Sequence, residues 1–497
     1  MHTRRLSILV LIIVSLFGAF GCHEGGEEGL PPIVAISGGK IFRTELGGSV
    51  LIAPSFDNLT ESAVISWIMD GKVVGHGTTF EFSADQAGVY YLTVEVTTEF
   101  GSDFVEVRID VVRPEDPLPP TPPPTPAESP EISFERSEFH VSQGRSIRLK
   151  PFDIDSTKTY TYIWSLDGAV VQEGEKAEYV FEASRQGLYT AIFSMQSEGT
   201  QVFADTLSLL VCPPEGTYRR NPASISSAHL TKVFEYTPAP GQFINENFTA
   251  NSMDEACAYA MSRIKEEKYV SLGGFGGYVV VGFDHSISSD GSYNFAVKNN
   301  VYSNYSEPGI VWVMQDEDGN GLPDDTWYEL KGSEYGLDCT VQDYAVTYYR
   351  PDAPGQPVAW ADNIGGSGSV DYLLAFHKQD YYYPLWIKPD KYTLRGSRLE
   401  ARNYDQSGKG VLWINPDYGW GYADNYSKTD MLEKEATGIT AGCNHFKISD
   451  AVTFDGKPAN LQYIDFVKVQ TGLNTKSGWL GEVSTEVVDI IDYNLVK

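Results

Sequence analysis

The sequence predicts a mainly β chain: two small β-sandwiches followed by a larger jelly-roll-like β-sandwich that carries one helix. Three observations point there. Aromatic residues make up 13% of the 497 positions, with 30 Tyr and 9 Trp, a bias that suits sheets and contact surfaces more than helical bundles. A Trp-x-x-Asp-Gly block occurs twice, once on each side of a proline-rich stretch. Beyond it, short apolar runs alternate with Gly- and Asp-rich turns, the pattern of sandwich strands.

The first residues read as a targeting segment rather than as fold. Arg4 and Arg5 precede an apolar run from Leu6 to Phe17, and small residues lead to Cys22. A run this short is too brief for a membrane span. The GAFGC block resembles a lipobox, with Ala19 where Leu is usual, so residues 1–22 are expected to be a signal with Cys22 as the acylated position. Acyl chains contribute about 0.8 kcal/mol per buried CH₂, and several together anchor firmly. Residues 23–32 form an acidic tether with Glu24, Glu27 and Glu28, which resembles the surface-export signal of Bacteroidetes lipoproteins.

Residues 33–113 and 131–212 are expected to be copies of one module. Trp67, Asp70 and Gly71 in the first match Trp164, Asp167 and Gly168 in the second, and Gly88-x-Tyr90 matches Gly187-x-Tyr189. The Trp anchors a core, Asp-Gly closes a hairpin, and the Gly-x-Tyr strand resembles the tyrosine corner of Ig-like sandwiches. Both modules resemble PKD-like domains, and both read as spacers. Between them, residues 114–130 hold nine prolines. Proline lacks a donor and fixes φ, so a semi-rigid polyproline spacer of roughly 50 Å is expected.

Residues 213–497 read as one large β-sandwich domain for ligand binding. Its one helix is expected over about 252–268, opened by a Ser252/Glu255 capping box and buried along Ala256, Tyr259, Ala260 and Ile264. Strands are expected at 278–283, 309–314, 327–330, 371–376, 411–414 and 463–470. Cys212, Cys257, Cys339 and Cys443 allow three pairings that spacing cannot choose among. None has the CxxC spacing of a zinc site.

Two segments suggest chemistry. In QDEDGNGLPDDTW, Asp316, Asp318 and Asn320 alternate ahead of Gly321. This matches the first half of an EF-type loop, where alternate oxygens converge on Ca²⁺. Leu322 would give a carbonyl and Asp324 the ninth-position oxygen. Trp327 holds the place of the closing Glu, so Asp325 or Glu329 would substitute. The alternative is a solvated acidic hairpin loop. The second segment crowds Tyr418, Trp420, Tyr422 and Tyr426 around Asp417, Asp424 and Asn425. An exposed face stacking on sugars or another flat ligand would explain it, as would burial of alternate rings beneath a long loop. The Gly273–Gly277 run leads into a strand, so no helix N-terminus receives phosphate. Asp284 and His285 read as structural.

Residues 233–245, 271–287, 306–335, 420–425 and 464–487 together resemble the C-terminal domain of PKD-like cell-surface lipoproteins of gut Bacteroidetes, a domain similar to discoidin-like jelly rolls. The resemblance implies surface capture. Some such proteins are encoded beside outer-membrane cobalamin transporters, which suggests a corrinoid ligand.

The formal net charge of -30 opposes phosphate backbones and makes nucleic acid an unsuitable partner. The membrane is expected to be met through the lipid anchor alone. Three functions compete. The first is non-catalytic capture of a corrinoid or glycan for a TonB-dependent transporter, and the others are glycoside hydrolysis and adhesion. A hydrolase needs two facing carboxylates, and neither GxSxG nor HExxH occurs.

Overall fold

The repeated Trp is the centre of each small sandwich. In the computed structural model, Trp67 and Trp164 are fully buried. Each sends its indole N–H to a backbone carbonyl at 2.8 Å, Gly77 for Trp67 and Ala177 for Trp164. Both sit at a bulge, where the register slips between Trp67 and Ile68 and between Trp164 and Ser165. The structure describes residues 31–36, 41–69, 71–112, 132–374, 376–408, 410–432 and 442–496. The lipobox with Cys22, the acidic tether up to residue 30, Asp70 and the proline-rich segment 114–130 lie outside them.

The chain divides into two units, residues 1–121 and 122–497. In the first, a five-stranded sheet runs in the order Ile41–Glu45, Gly101–Val112, Gly88–Thr98, Val64–Met69, Lys72–His76. Its edge pair is parallel, and Ser49–Ile52 pairs with Phe80–Ser83 separately. The core joins Trp67 to Ile52, Phe82, Leu92 and Ile109.

The second unit opens with the same design. Its order is Glu138–Ser142, Thr200–Cys212, Gly187–Ser197, Thr161–Leu166, Ala169–Gly174, again with a parallel edge pair. Asp167 at φ 50° and Gly168 at φ 85° take the two positive-φ positions of a tight hairpin turn. The tyrosine corners are real: Tyr90 donates to Gln86 O and Tyr189 to Arg185 O, each at 2.8 Å.

The larger domain follows within this unit. A six-stranded antiparallel sheet runs Lys232–Thr237, Tyr278–Ser288, Tyr463–Thr471, Gly309–Met314, Trp327–Leu330, Ala451–Val452. A four-stranded sheet holds Ser367–Val370, Val358–Asp362, Val341–Tyr349 and Lys391–Arg398. The helix Met253–Lys265 is capped by Ser252, whose hydroxyl accepts from the Glu255 N–H. It buries Ala256, Ala260 and Ile264 against the main core. Among the described residues, no helix is long and apolar enough to cross a membrane.

Three expectations need correction. Residues 371–376 are not a strand: the Phe376 and His377 N–H groups both reach back to Leu373 O, which closes a turn. Of 411–414 only Trp413–Ile414 pairs, with Tyr404–Asp405. The second sandwich is also not a free spacer. Arg145 donates to Ala459 O and pairs with Glu215, each at 2.5 Å. Arg148 and Lys150 grip Asp343 at 3.1 and 2.6 Å, and Arg395 pairs with Asp153. Among the described residues, no disulfide joins Cys212, Cys257, Cys339 and Cys443.

Candidate functional site: an interdomain cavity

The six-stranded sheet has two unlike faces because side chains alternate along a strand. Val279, Val281, Val311, Val313, Val467 and Val469 enter the main core. On the other face, paired residues form a row across five strands: Glu235, Val280, Lys468, Trp312, Glu329. Tyr278 and Gln470 stand two residues along from that row, and Trp327 two residues along on the other side. This face is the floor of a cavity of about 770 Å³. Phe134, Arg136, Phe139, Arg148 and Phe152 of the second sandwich wall it, together with Asp343, Tyr349, Thr393 and Arg395 from the four-stranded sheet. Its volume lies in the range of small-molecule sites.

Lys468 organises the floor. Its ammonium lies 4.8 Å from the ring centroids of both Trp312 and Trp327 and 5.7 Å from that of Tyr278. Burial pushes its pKa down to about 8, against the opposing pull of nearby carboxylates. Burial pushes Glu329 up to about 7, although Ser397 donates to it at 2.6 Å. Tyr278 donates to Glu235 at 2.6 Å. Two buried polar atoms on this floor, Trp312 Nε1 and Gln470 Oε1, have no hydrogen-bond partner. A buried unmet donor and acceptor are costly, and both atoms lie beneath the cavity surface. The cavity thus offers aromatic faces and one cation. Sequence motifs do not point to this floor as a ligand site. The Val-Lys-Val-Gln alternation at 467–470 marks only a strand with a polar side, and Glu329 stands out only as a substitute calcium ligand.

The aromatic segment behaves differently from the expected contact face. Tyr418 and Tyr422 are 3% and 2% exposed and belong to one buried cluster. Tyr418 donates to Glu400 O at 2.6 Å, and Tyr422 Oη accepts the Glu334 N–H at 2.9 Å. Asp424 and Asn425 are buried as well: Asp424 accepts the Glu486 N–H, and Asn425 bridges both backbone groups of Tyr418. Trp420 and Tyr426 are partly buried, and their N–H groups go to Ser333 and Ser306. The segment closes the domain as core and latch, because its polar residues are consumed by backbone groups. His285, fully buried between Asp284 and Asp492 at 2.6 and 2.8 Å, is structural.

The acidic loop is held by its own hydrogen bonds. Asp316 turns to the Gly321 N–H. The Asn320 oxygen is taken by the Leu322 N–H at 2.6 Å, so its NH₂ faces Asp318 and Asp324. A calcium loop needs oxygens converging from these positions; Asp316 Oδ1 is buried without a hydrogen-bond partner, while the Asn320 amide lies between Asp318 and Asp324. Asp318 and Asp324 do remain together, joined by Asp325 and by His140 of the second sandwich.

A family model for the PKD-like domain matches residues 31–98. No curated protein matches. Among solved structures, fibronectin(III)-like modules of Clostridium thermocellum CbhA align at 14% identity over 38% of this chain and 100% of theirs, with a TM-score of 0.16. The titin domains z1z2 align at 15% over 37% of this chain and 98% of theirs, with a TM-score of 0.14. Immunoglobulin domains 1–4 of Sidekick-1 align at 13% over 38% and 50%, with a TM-score of 0.15. Scores this low carry no argument, and the sandwiches stand on their own strand pairing.

Proposed function

We propose that this chain is a lipid-anchored surface protein, acylated at Cys22, that captures an extracellular nutrient without transforming it and presents it to a TonB-dependent transporter. The observation that carries the reading is the interdomain cavity with its lysine set among three aromatic rings. Aromatic faces suit a flat or sugar-like ligand, and the cation suits a ligand bearing oxygen substituents. A corrinoid and a glycan both fit this description.

The two carboxylates of the floor row are not a hydrolytic pair. Glu235 and Glu329 are four strand spacings apart, about 19 Å, whereas a hydrolytic pair stands at roughly 5–9.5 Å. Titration of the purified protein with corrinoids and a broad glycan panel in a calorimeter tests the reading. Binding at micromolar strength or tighter, lost in Trp312→Ala, is expected. Silence across both panels overturns it.

A further inference from the structure

Four metal-ligating side chains meet where the second sandwich touches the acidic loop. His140 comes from the edge strand Glu138–Ser142. Asp318, Asp324 and Asp325 come from the loop after Gly309–Met314, and one ligand atom from each lies within 4.8 Å of the others. His140 Nδ1 is 3.4 Å from Asp318 Oδ2, 3.4 Å from Asp325 Oδ1 and 3.8 Å from Asp324 Oδ1. The Asp325 side chain is 0% exposed. Its Oδ2 is fixed by the Glu317 N–H at 3.0 Å, which leaves Oδ1 turned towards the imidazole. Asp325 Oδ1 and His140 Nδ1 face each other at ion-pair distance, and neither has another hydrogen-bond partner.

The choice of ion rests on the imidazole and on its short distances to the carboxylates. Ligand atoms about 2.1 Å from a tetrahedral zinc ion stand roughly 3.4 Å from one another. Calcium takes six to eight oxygens and has little use for an imidazole, which suits zinc and its neighbours. Three carboxylates gathered around one imidazole repel one another, and a bound cation relieves that repulsion; Asp325 is the buried one, while Asp324 is 44% exposed. We propose that His140, Asp318, Asp324 and Asp325 bind one divalent transition-metal ion of the zinc type, which fastens the second sandwich to the C-terminal domain. Two contacts beside the site already set the strands for it. Arg136 donates to the carbonyls of Asp324 and Asp325 at 2.7 and 2.8 Å, and Thr326 donates to His140 O at 2.9 Å.

The test uses the whole chain, stripped with a chelator and dialysed against Zn²⁺ or Ca²⁺, with bound metal counted by mass spectrometry. One zinc per chain is expected, with affinity at least tenfold weaker in His140→Ala and in Asp318→Asn. Co²⁺ in place of zinc should give the visible absorption of a tetrahedral site. Zinc bound equally by both variants, no zinc at all, or calcium held more tightly than zinc each overturns the proposal. If His140→Ala fails to fold, the affinity of Asp318→Asn decides between these outcomes. Failure here leaves capture in the cavity standing, because ligand titrations of metal-free protein read that separately.

Discussion

Lys468 and Trp312 face each other directly across two antiparallel strands, with the ammonium 4.8 Å from the indole centroid. The pair gives the cavity floor a cation held against aromatic faces, and it lets capture be separated from folding. A buried charge carries a desolvation cost that an apolar side chain of similar size avoids. Lys468→Met is therefore expected to keep or raise the melting temperature, while calorimetric affinity falls at least tenfold, about 1.4 kcal/mol. Unchanged affinity would remove Lys468 from the site.

The same lysine predicts an alkaline signature. Its folded pKa of about 8 lies below the ordinary value for lysine, near 10.5. Between those values the unfolded chain holds a proton that the folded chain has released, so stability rises with pH through that window. The melting temperature of the natural protein should gain on that of Lys468→Met from pH 8 to pH 10. A constant gap would show that burial does not depress this group.

Glu482 predicts the opposite slope. Burial pushes it up to about 8, one oxygen accepts the Gln242 N–H at 2.8 Å, and the other has no partner. The folded state keeps a proton that the unfolded state loses from about pH 4.5 upward. Its stabilising contribution is present at low pH and is lost as pH rises through about 8. Glu482→Gln, which resembles the protonated form, should gain in melting temperature relative to the natural protein from pH 5 to pH 9. Parallel curves would contradict this.

Tyr422→Phe separates core from contact surface. It leaves the Glu334 N–H without its acceptor, a loss of about 1–3 kcal/mol for a buried donor. Denaturant unfolding should show that loss while ligand affinity stays as it was. An affinity change without a stability change would restore the contact-face reading.

Truncation tests which modules make the site. A chain starting at residue 122 retains both the walls and the floor and should bind fully. A chain starting at residue 213 loses Phe134, Arg148 and Phe152 from the wall. It should lose binding and expose Trp312 and Trp327 to a hydrophobic dye. Full binding by the shorter fragment would place the ligand elsewhere.

Local pattern was enough to read much of the fold. Trp164, Asp167-Gly168 and Tyr189 act within their own module, so their spacing carried the information. The Ser252 cap and the alternation in 463–470 were legible for the same reason. The site was not, because its parts meet only in the folded chain: Arg148 reaches Asp343, 195 positions away. The aromatic segment misled for a related reason. Tyr422 looks exposed among Gly and Asp, but its partner is a backbone group 88 positions earlier. The acidic loop showed its carboxylates plainly, but His140 arrives from another module.

A chamber whose floor and wall belong to different modules can open by their parting, with neither having to unravel. Part of what holds them is a set of charge pairs, Arg148 and Lys150 on Asp343 and Arg395 on Asp153. Dissolved ions weaken such pairs where they meet solvent. Salt would then loosen the joint between floor and wall without melting either module.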